Sequence, residues 1–182
     1  MDGRRAEFAE PGEVAVATAR AGGPEITVVI PVFNEEANLR RLLERLRATL
    51  EGAREDYEVV FVDDGSSDRS LDLLREEIRR DPRVRAVEFS RNAGQHAAVL
   101  AGFAEARGRI VVTLDADLQN PPEEIPKLLA AIRAGADVAG GWRERRQDPL
   151  YRRLASALIN RITSKALRVK MRDYGCMLRA YR

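Results

Sequence analysis

The sequence predicts an α/β domain with a mostly parallel sheet that is sandwiched by helices. Short β-branched apolar runs alternate with amphipathic segments from residue 25 onward, which is typical of a parallel sheet covered on both faces. A chain of 182 residues suits one such domain with a substantial core. Its composition, 45% hydrophobic and 33% charged, excludes collagen-like and globally disordered proteins.

Residues 1–24 are predicted to form a flexible leader, because they have neither a helical nor a strand period and end in Gly22-Gly23-Pro24. The folded domain is expected to cover residues 25–182. Its strands are predicted at 26–30, 57–62, 84–89, 109–114 and from 137. Its helices are predicted at 36–50, 70–80, 95–106, 122–134 and 149–167.

Individual residues justify these elements. The run 26–30 is β-branched and stops at Pro31, which indicates a buried strand. The first helix has leucines at helical spacing, namely Leu39, Leu42, Leu43, Leu46 and Leu50. Prolines in the first turn suit the start of the fourth helix.

The numbers of cysteine and histidine residues and the lengths of the apolar runs exclude several kinds of site and segment. One cysteine allows no internal disulfide, and one histidine excludes multi-histidine metal sites. No run approaches the roughly 18 apolar residues of a membrane span, so the chain is expected to be soluble or peripheral.

Residues 142–182 carry 12 Lys and Arg against 3 Asp and Glu. This basic part either meets anionic lipid or phosphate, or is a solvated helix face.

Acidic residues follow three of the predicted strands, at 31–36, 63–66 and 115–119. The carboxyl ends of parallel strands meet at one edge of the sheet, where ligands bind. Gathered carboxylates repel each other unless a cation or a donor-rich ligand neutralises them. The sequence therefore predicts a ligand site at this edge.

Asp115 and Asp117 form the sharpest part of this pattern. Residues i and i+2 of an extended chain lie on the same side, so both carboxylates could bind one Mg²⁺ or Mn²⁺ ion. The alternative is a solvated turn or a helix cap. The uncharged run 110–114 that precedes the pair favours the metal site.

Two other turns have mixed interpretations. Ser67 or Asp68 is expected to cap the second helix, while Asp64 meets the ligand. Gly94 precedes the third helix, where free backbone N–H groups suit an anion. His96 is either a ligand contact or an ordinary first-turn residue.

With these motifs in place, the sequence resembles family 2 glycosyltransferases of the GT-A fold. Within them it is similar to the polyprenyl-phosphate glycosyltransferases, the dolichyl-phosphate mannose synthase-like group. The nearest branch is the bacterial undecaprenyl-phosphate 4-deoxy-4-formamido-L-arabinose transferases. The resemblance covers residues 26–182 and is carried by the motifs at 30–35, 62–66, 90–96, 115–123 and 173–179.

The resemblance implies roles for individual residues. The nucleoside contacts it implies are Pro31, Phe33, Glu35 and Asp64. The metal and diphosphate ligands it implies are Asp115, Asp117 and Gln119. Ala116 and Arg143 are implied as substrate contacts, Arg143 near the diphosphate. Asp117 and Asp173 are implied in catalysis, Asp173 beside the sugar and the acceptor.

The implied reaction is inverting, metal-assisted transfer of a sugar from a nucleotide-diphosphate donor, with UDP favoured by the branch, to polyprenyl phosphate. The implied location of full-length relatives is the cytoplasmic face of the plasma membrane. Two alternatives are a soluble acceptor and a catalytically silent nucleotide-sugar-binding module. No nucleic-acid partner is expected, and association into a homo-oligomer is left open.

Two departures from the family pattern bear on these expectations. Phe33 stands where many relatives have tyrosine, so one ring hydroxyl is missing. Relatives also continue past the position of Arg182 with a basic segment and membrane helices. The domain is therefore expected to be C-terminally incomplete, without a transmembrane segment.

Overall fold

The computed structural model describes residues 23–141 and 176–182. In this part of the chain, six strands form one sheet in the order β3-β2-β1-β4-β6-β5. The strands are β1 (Ile26–Val32), β2 (Tyr57–Asp63), β3 (Val84–Glu88), β4 (Ile110–Thr113), β5 (Val138–Gly140) and β6 (Arg179–Tyr181). The α-helices are α1 (Glu36–Gly52), α2 (Ser70–Arg80), α3 (Gln95–Glu105) and α4 (Ile125–Arg133).

The strand order reverses beside β1. This strand pairs in parallel with β2 on one side and with β4 on the other. The chain builds outward from β1 to β3, and α3 then carries it back to β4 on the other side of β1. Such a reversal leaves a crevice at the carboxyl ends of the two central strands, where α/β sheets bind their ligands.

Strand β6 was not predicted from the sequence. It lies between β4 and β5 and runs antiparallel to both. Its three residues, Arg-Ala-Tyr, are too few to show a strand period, and β4 and β5 supply the pairing that makes it a strand. The prediction of a mostly parallel sheet is confirmed.

The core has two parts, one on each face of the sheet. The larger part contains the five α1 leucines together with Val28, Ile30 and residues of α4. The smaller part lies under α3 and is built on Val60, Val62 and Ala98. Burying a leucine stabilises the fold by roughly 1.5–3 kcal/mol, so α1 is held mainly by its apolar stripe. Helices therefore cover both faces, as predicted.

The remaining predictions of secondary structure are confirmed to within two residues at each boundary, with one correction. The fourth helix begins as a 3₁₀ turn at Pro122–Glu124 and becomes α-helical at Ile125. The predicted helix at 149–167 lies outside the described residues, as does nearly all of the predicted leader. Within residues 23–141 and 176–182, no helix has the length and apolar character needed to span a bilayer.

Candidate functional site

A cleft of about 250 Å³ opens at the carboxyl ends of β1, β2 and β4. It is lined by Pro31, Val32, Phe33, Glu35, Asp64, Asn92, Gly94, Gln95, Asp115, Ala116 and Asp117. All three acidic strand ends contribute to it, as the sequence predicted. The crevice at the strand reversal thus combines an apolar wall with a cluster of carboxylates.

Seven of the ten predicted site residues line this cleft, namely Pro31, Phe33, Glu35, Asp64, Asp115, Ala116 and Asp117. Gln119 is exposed and is not among the lining residues. Arg143 and Asp173 lie outside the described residues, so their predicted roles stay predictions.

The turn after β1 is fixed by Asn34. Its φ of 57° lies in the left-handed region, which asparagine tolerates better than most residues. The Asn34 Oδ1 accepts the backbone N–H groups of Ser67 at 2.8 Å and Asp68 at 3.3 Å. This turn presents Phe33, whose surface is 47% exposed, at the cleft.

Asp68 holds the starts of two helices together. Its Oδ1 accepts the N–H of Ser70 at 2.9 Å, and its Oδ2 accepts the N–H of Glu36 at 3.0 Å. Burial raises the pKa of Asp68, but hydrogen bonding to Ser70 and Glu36 outweighs burial and leaves this pKa below its usual range. Asp68 therefore supports the first turn of α2 and ties it to α1. The prediction that Ser67 or Asp68 is the cap of α2 is wrong, because Arg69 is the N-cap residue and this helix has no side-chain cap hydrogen bond.

The Asp64 carboxylate is buried, and it binds the loop before α3. Its Oδ1 accepts the N–H of Ala93 at 2.7 Å, and its Oδ2 accepts the N–H of Gly94 at 2.9 Å. The expectation that the backbone N–H groups at Gly94 are free for an anion is therefore wrong for the N–H groups of Ala93 and Gly94. The chain's own carboxylate satisfies them, because β2 and the 91–94 loop meet at the same edge of the sheet.

The Asp115 carboxylate is held from two sides. Its Oδ1 accepts a hydrogen bond from the Nε2 of Gln95 at 2.7 Å, and its Oδ2 accepts one from the Nδ2 of Asn120 at 3.2 Å. Two residues further on, the Asp117 Oδ1 accepts the backbone N–H of Gln119 at 3.0 Å. Leu118 between them has a φ of 61°, which turns the chain back on itself.

Sequence reasoning assigned no role to Gln95, Asn92 or Asn120. The first two line the cleft, and Asn120 contacts Asp115 from outside it. All three lie within the motifs at 90–96 and 115–123. Position inside those motifs was the only available signal, because amides are common in surface turns as well.

The carboxylates of Asp115 and Asp117 suit a divalent cation. Mg²⁺ takes oxygen ligands and is often bound by one or two carboxylates together with substrate phosphates. Across residues 23–141 and 176–182, no group of three or more His, Cys, Asp or Glu side chains could hold a metal by itself. A metal ion bound by Asp115 and Asp117 would need further ligands.

Comparison with known proteins agrees with this architecture. The profile of the family described as Glycosyl transferase family 2 matches residues 27–182. The undecaprenyl-phosphate 4-deoxy-4-formamido-L-arabinose transferase of Edwardsiella ictaluri is 54% identical over 158 residues, which are 86% of this chain and 49% of that protein. The chain spans about half the length of the curated relatives it matches.

Solved structures share the fold. The mannosyltransferase PcManGT from Pyrobaculum calidifontis, in complex with GDP-Man and Mn²⁺, aligns with a TM-score of 0.62 at 23% identity, over 94% of this chain and 48% of that one. The glucosyl-3-phosphoglycerate synthase from Mycobacterium tuberculosis aligns with a TM-score of 0.63 at 23% identity, over 87% and 56%. The fold is GT-A, and by its profile match and its close relatives the chain belongs to glycosyl transferase family 2.

Proposed function

We propose that this chain carries the donor-binding part of an inverting glycosyltransferase that moves a sugar from a UDP-sugar to a polyprenyl phosphate. The observation that carries the proposal is the cleft, whose lining combines the apolar side chains of Pro31 and Phe33 with the carboxylates of Asp115 and Asp117. A nucleoside needs the first kind of surface, and a metal-bound diphosphate needs the second.

The nucleoside occupies the part of the cleft formed by Pro31, Phe33, Glu35 and Asp64. Phe33 supplies an exposed aromatic surface, and base–aromatic stacking contributes about 1–3 kcal/mol per base. Glu35 is held by Asn38, whose Nδ2 donates to its Oε2 at 2.7 Å. The base therefore meets side chains that the fold has already placed.

The diphosphate lies toward Asp115, Ala116 and Asp117. A Mg²⁺ or Mn²⁺ ion bound by Asp115 and Asp117 would neutralise the charge that develops on the departing diphosphate. Gln119 is proposed as a further oxygen ligand, and Arg143 as a cationic contact of the same diphosphate. Both assignments rest on the family motif.

Transfer requires little acid–base chemistry. The acceptor phosphate is already anionic, so its oxygen can attack the anomeric carbon without a strong general base. Attack from the side opposite the leaving diphosphate inverts the configuration at that carbon. Asp173 is proposed to orient the sugar and the acceptor or to aid proton removal.

The lipid acceptor is proposed from the relatives, which are undecaprenyl-phosphate transferases at 52–54% identity. The basic composition of residues 142–182 is compatible with an anionic membrane surface on the cytoplasmic side. These two points favour a lipid phosphate over a soluble acceptor.

Calorimetric titration with UDP-sugars and GDP-sugars, with and without Mn²⁺, tests donor binding. We expect UDP-sugars to bind with Mn²⁺ and Asp117→Ala to abolish the metal-dependent part. Asp137→Ala is the matched control, because this side chain is 91% exposed and lies just before β5. Metal-independent binding that Asp117→Ala leaves unchanged would contradict the metal assignment.

Transfer is tested separately with a radiolabelled UDP-sugar and undecaprenyl phosphate in phosphatidylglycerol vesicles. Label in the organic phase supports the lipid acceptor. Label in a water-soluble product contradicts it and favours a soluble acceptor. If the chain binds the donor but label appears in neither phase, the result favours a catalytically silent nucleotide-sugar-binding module.

A further inference from the structure

A buried chain of hydrogen bonds leads from the cleft to the beginning of β6. The Cys176 Sγ donates to the Asn120 Oδ1 at 3.3 Å, and the Asn120 Nδ2 donates to the Asp115 Oδ2 at 3.2 Å. Cys176 is 1% exposed and Asn120 is 4% exposed, whereas Asp115 lines the cleft. Three residues from two distant parts of the sequence therefore meet behind one wall of the cleft.

The chemistry of the partners fixes which way the Asn120 amide lies. An ionised carboxylate can only accept hydrogen bonds, so the NH₂ group must be on the Asp115 side. The amide oxygen is then on the Cys176 side, where the thiol is a donor. If the amide were reversed, the Asn120 oxygen would face the Asp115 oxygen, and both atoms are acceptors. The thiol and the carboxylate therefore favour the same orientation of the Asn120 amide.

The backbone on both sides of this chain is fixed as well. Thr113 at the end of β4 pairs with Arg179 of β6, and its hydroxyl donates to the carbonyl oxygen of Met177. The Arg179 Nε donates to the carbonyl oxygen of Cys176 at 2.8 Å. Cys176 thus reaches Asn120 from a position that the sheet determines.

We propose that Asn120 is a positioning residue, which the Cys176 thiol orients and which holds the Asp115 carboxylate in the arrangement that binds the donor complex. This inference rests on the proposed function for the identity of the ligand. Gln95 contacts the other Asp115 oxygen from an exposed position, whereas Asn120 is buried. Residues that orient a metal ligand typically affect metal affinity by 10- to 100-fold.

The main variant is Asn120→Leu, which keeps the branched shape of the side chain and removes both hydrogen bonds. We expect the Mn²⁺ affinity of the UDP complex, measured by electron paramagnetic resonance, to fall about tenfold. UDP affinity without metal should change little. In an Asp115→Ala background, Asn120→Leu should cause no further loss. Equal weakening with and without Mn²⁺, or an additive loss in the double variant, would indicate a merely structural role.

Substitutions of Cys176 separate orientation from packing. Cys176→Ser keeps a donor for Asn120 and should retain most of the Mn²⁺ affinity. Cys176→Ala removes the donor and should reduce the affinity of the UDP complex for Mn²⁺ several-fold. If serine and alanine behave alike, the thiol does not orient Asn120 and the proposal is overturned.

An infrared measurement decides the same point without any ligand. Cys176 is the only cysteine in the chain, so its S–H stretching band is unambiguous. Asp115→Ala, which is two hydrogen bonds away, should shift this band, as should Asn120→Leu. An unchanged band in Asp115→Ala overturns the proposal even if the chain binds no UDP, whereas absent UDP binding alone counts against the proposed function.

Discussion

The carboxylate of Asp64 accepts hydrogen bonds from two successive backbone N–H groups, those of Ala93 and Gly94, at 2.7 and 2.9 Å. Asp64 follows β2 and Gly94 precedes α3, so one side chain joins two walls of the cleft. The residue is only 3% exposed, and its charge is compensated by these donors. Asp64 therefore shapes the cleft in addition to lining it.

Replacing Asp64 should disorganise the 91–94 loop. Asp64→Ala removes both acceptors, and we expect the free energy of unfolding to fall by about 3–6 kcal/mol, because two hydrogen bonds to a charged group are lost and each contributes roughly 1.5–3 kcal/mol. UDP affinity should fall by at least about tenfold. Urea denaturation and calorimetry measure the two effects. Asp64→Asn should have intermediate stability and intermediate UDP affinity, since it keeps one acceptor oxygen. If Asp64→Ala is as stable as the wild type, Asp64 does not hold the 91–94 loop.

Gly94 should be replaceable only at the expense of nucleotide binding. Its φ of 91° and ψ of 154° lie in a region that is essentially restricted to glycine, although a Cβ there would meet no atom within 4 Å. Gly94→Ala should cost about 1–3 kcal/mol in stability and weaken UDP binding through the displaced loop.

Gly135 supplies the matched control, because it has a φ of 109° and equally open space but follows α4, away from the cleft. Gly135→Ala should lower stability without changing UDP affinity. Equal effects of the two variants on UDP binding would mean that the Gly94 loop has no special part in the site.

Phe33 should contribute to binding and only modestly to stability. Its side chain is about half buried, so Phe33→Ala should lower the free energy of unfolding by only about 1 kcal/mol. Loss of base stacking should weaken UDP affinity about tenfold. Leu100→Ala, at a side chain 66% exposed on α3 and not among the cleft-lining residues, is the control and should change neither quantity. An unchanged UDP affinity in Phe33→Ala would remove the ring from the nucleoside site.

Stability should decline at acidic pH through Asp81. Side-chain hydrogen bonds from Arg83 lower the pKa of Asp81 against the effect of burial, which raises it. Because the pKa is lower in the folded state, this contribution is present above the unfolded-state pKa of about 4 and is lost as pH falls through the folded value. Asp81→Asn should be destabilised at pH 7 by roughly 1–3 kcal/mol.

Urea unfolding of wild type and Asp81→Asn between pH 7 and pH 2 checks this expectation. The difference between the two proteins should shrink toward the acidic end of the range, because the wild-type carboxyl becomes protonated there. The exposed Asp137→Asn is the control and should follow wild type throughout. A constant difference across the range would show that ionisation of Asp81 does not stabilise the fold.

The sequence by itself determined the class of the fold and the place of the site. Local spacing is enough for this, because the α1 leucines and the β-branched run of β1 each bury one continuous surface. The rule that ligands bind at the carboxyl ends of parallel strands then brought Asp64, Asp115 and Asp117 to one cleft. The motif resemblance to family 2 glycosyltransferases was confirmed by the match over residues 27–182.

Only the tertiary structure decided how the site is held. Cys176 and Asn120 are 56 positions apart, and their contact requires β6 to insert between β4 and β5. Asp64 and Gly94 are 30 positions apart in the sequence. An aspartate followed by a glycine, as at Asp64-Gly65, has the same local sequence whether its carboxylate binds a ligand or the backbone of another segment. Local patterns report which surfaces a segment buries. Hydrogen bonds between distant segments depend on strand order and register, which short-range spacing does not encode.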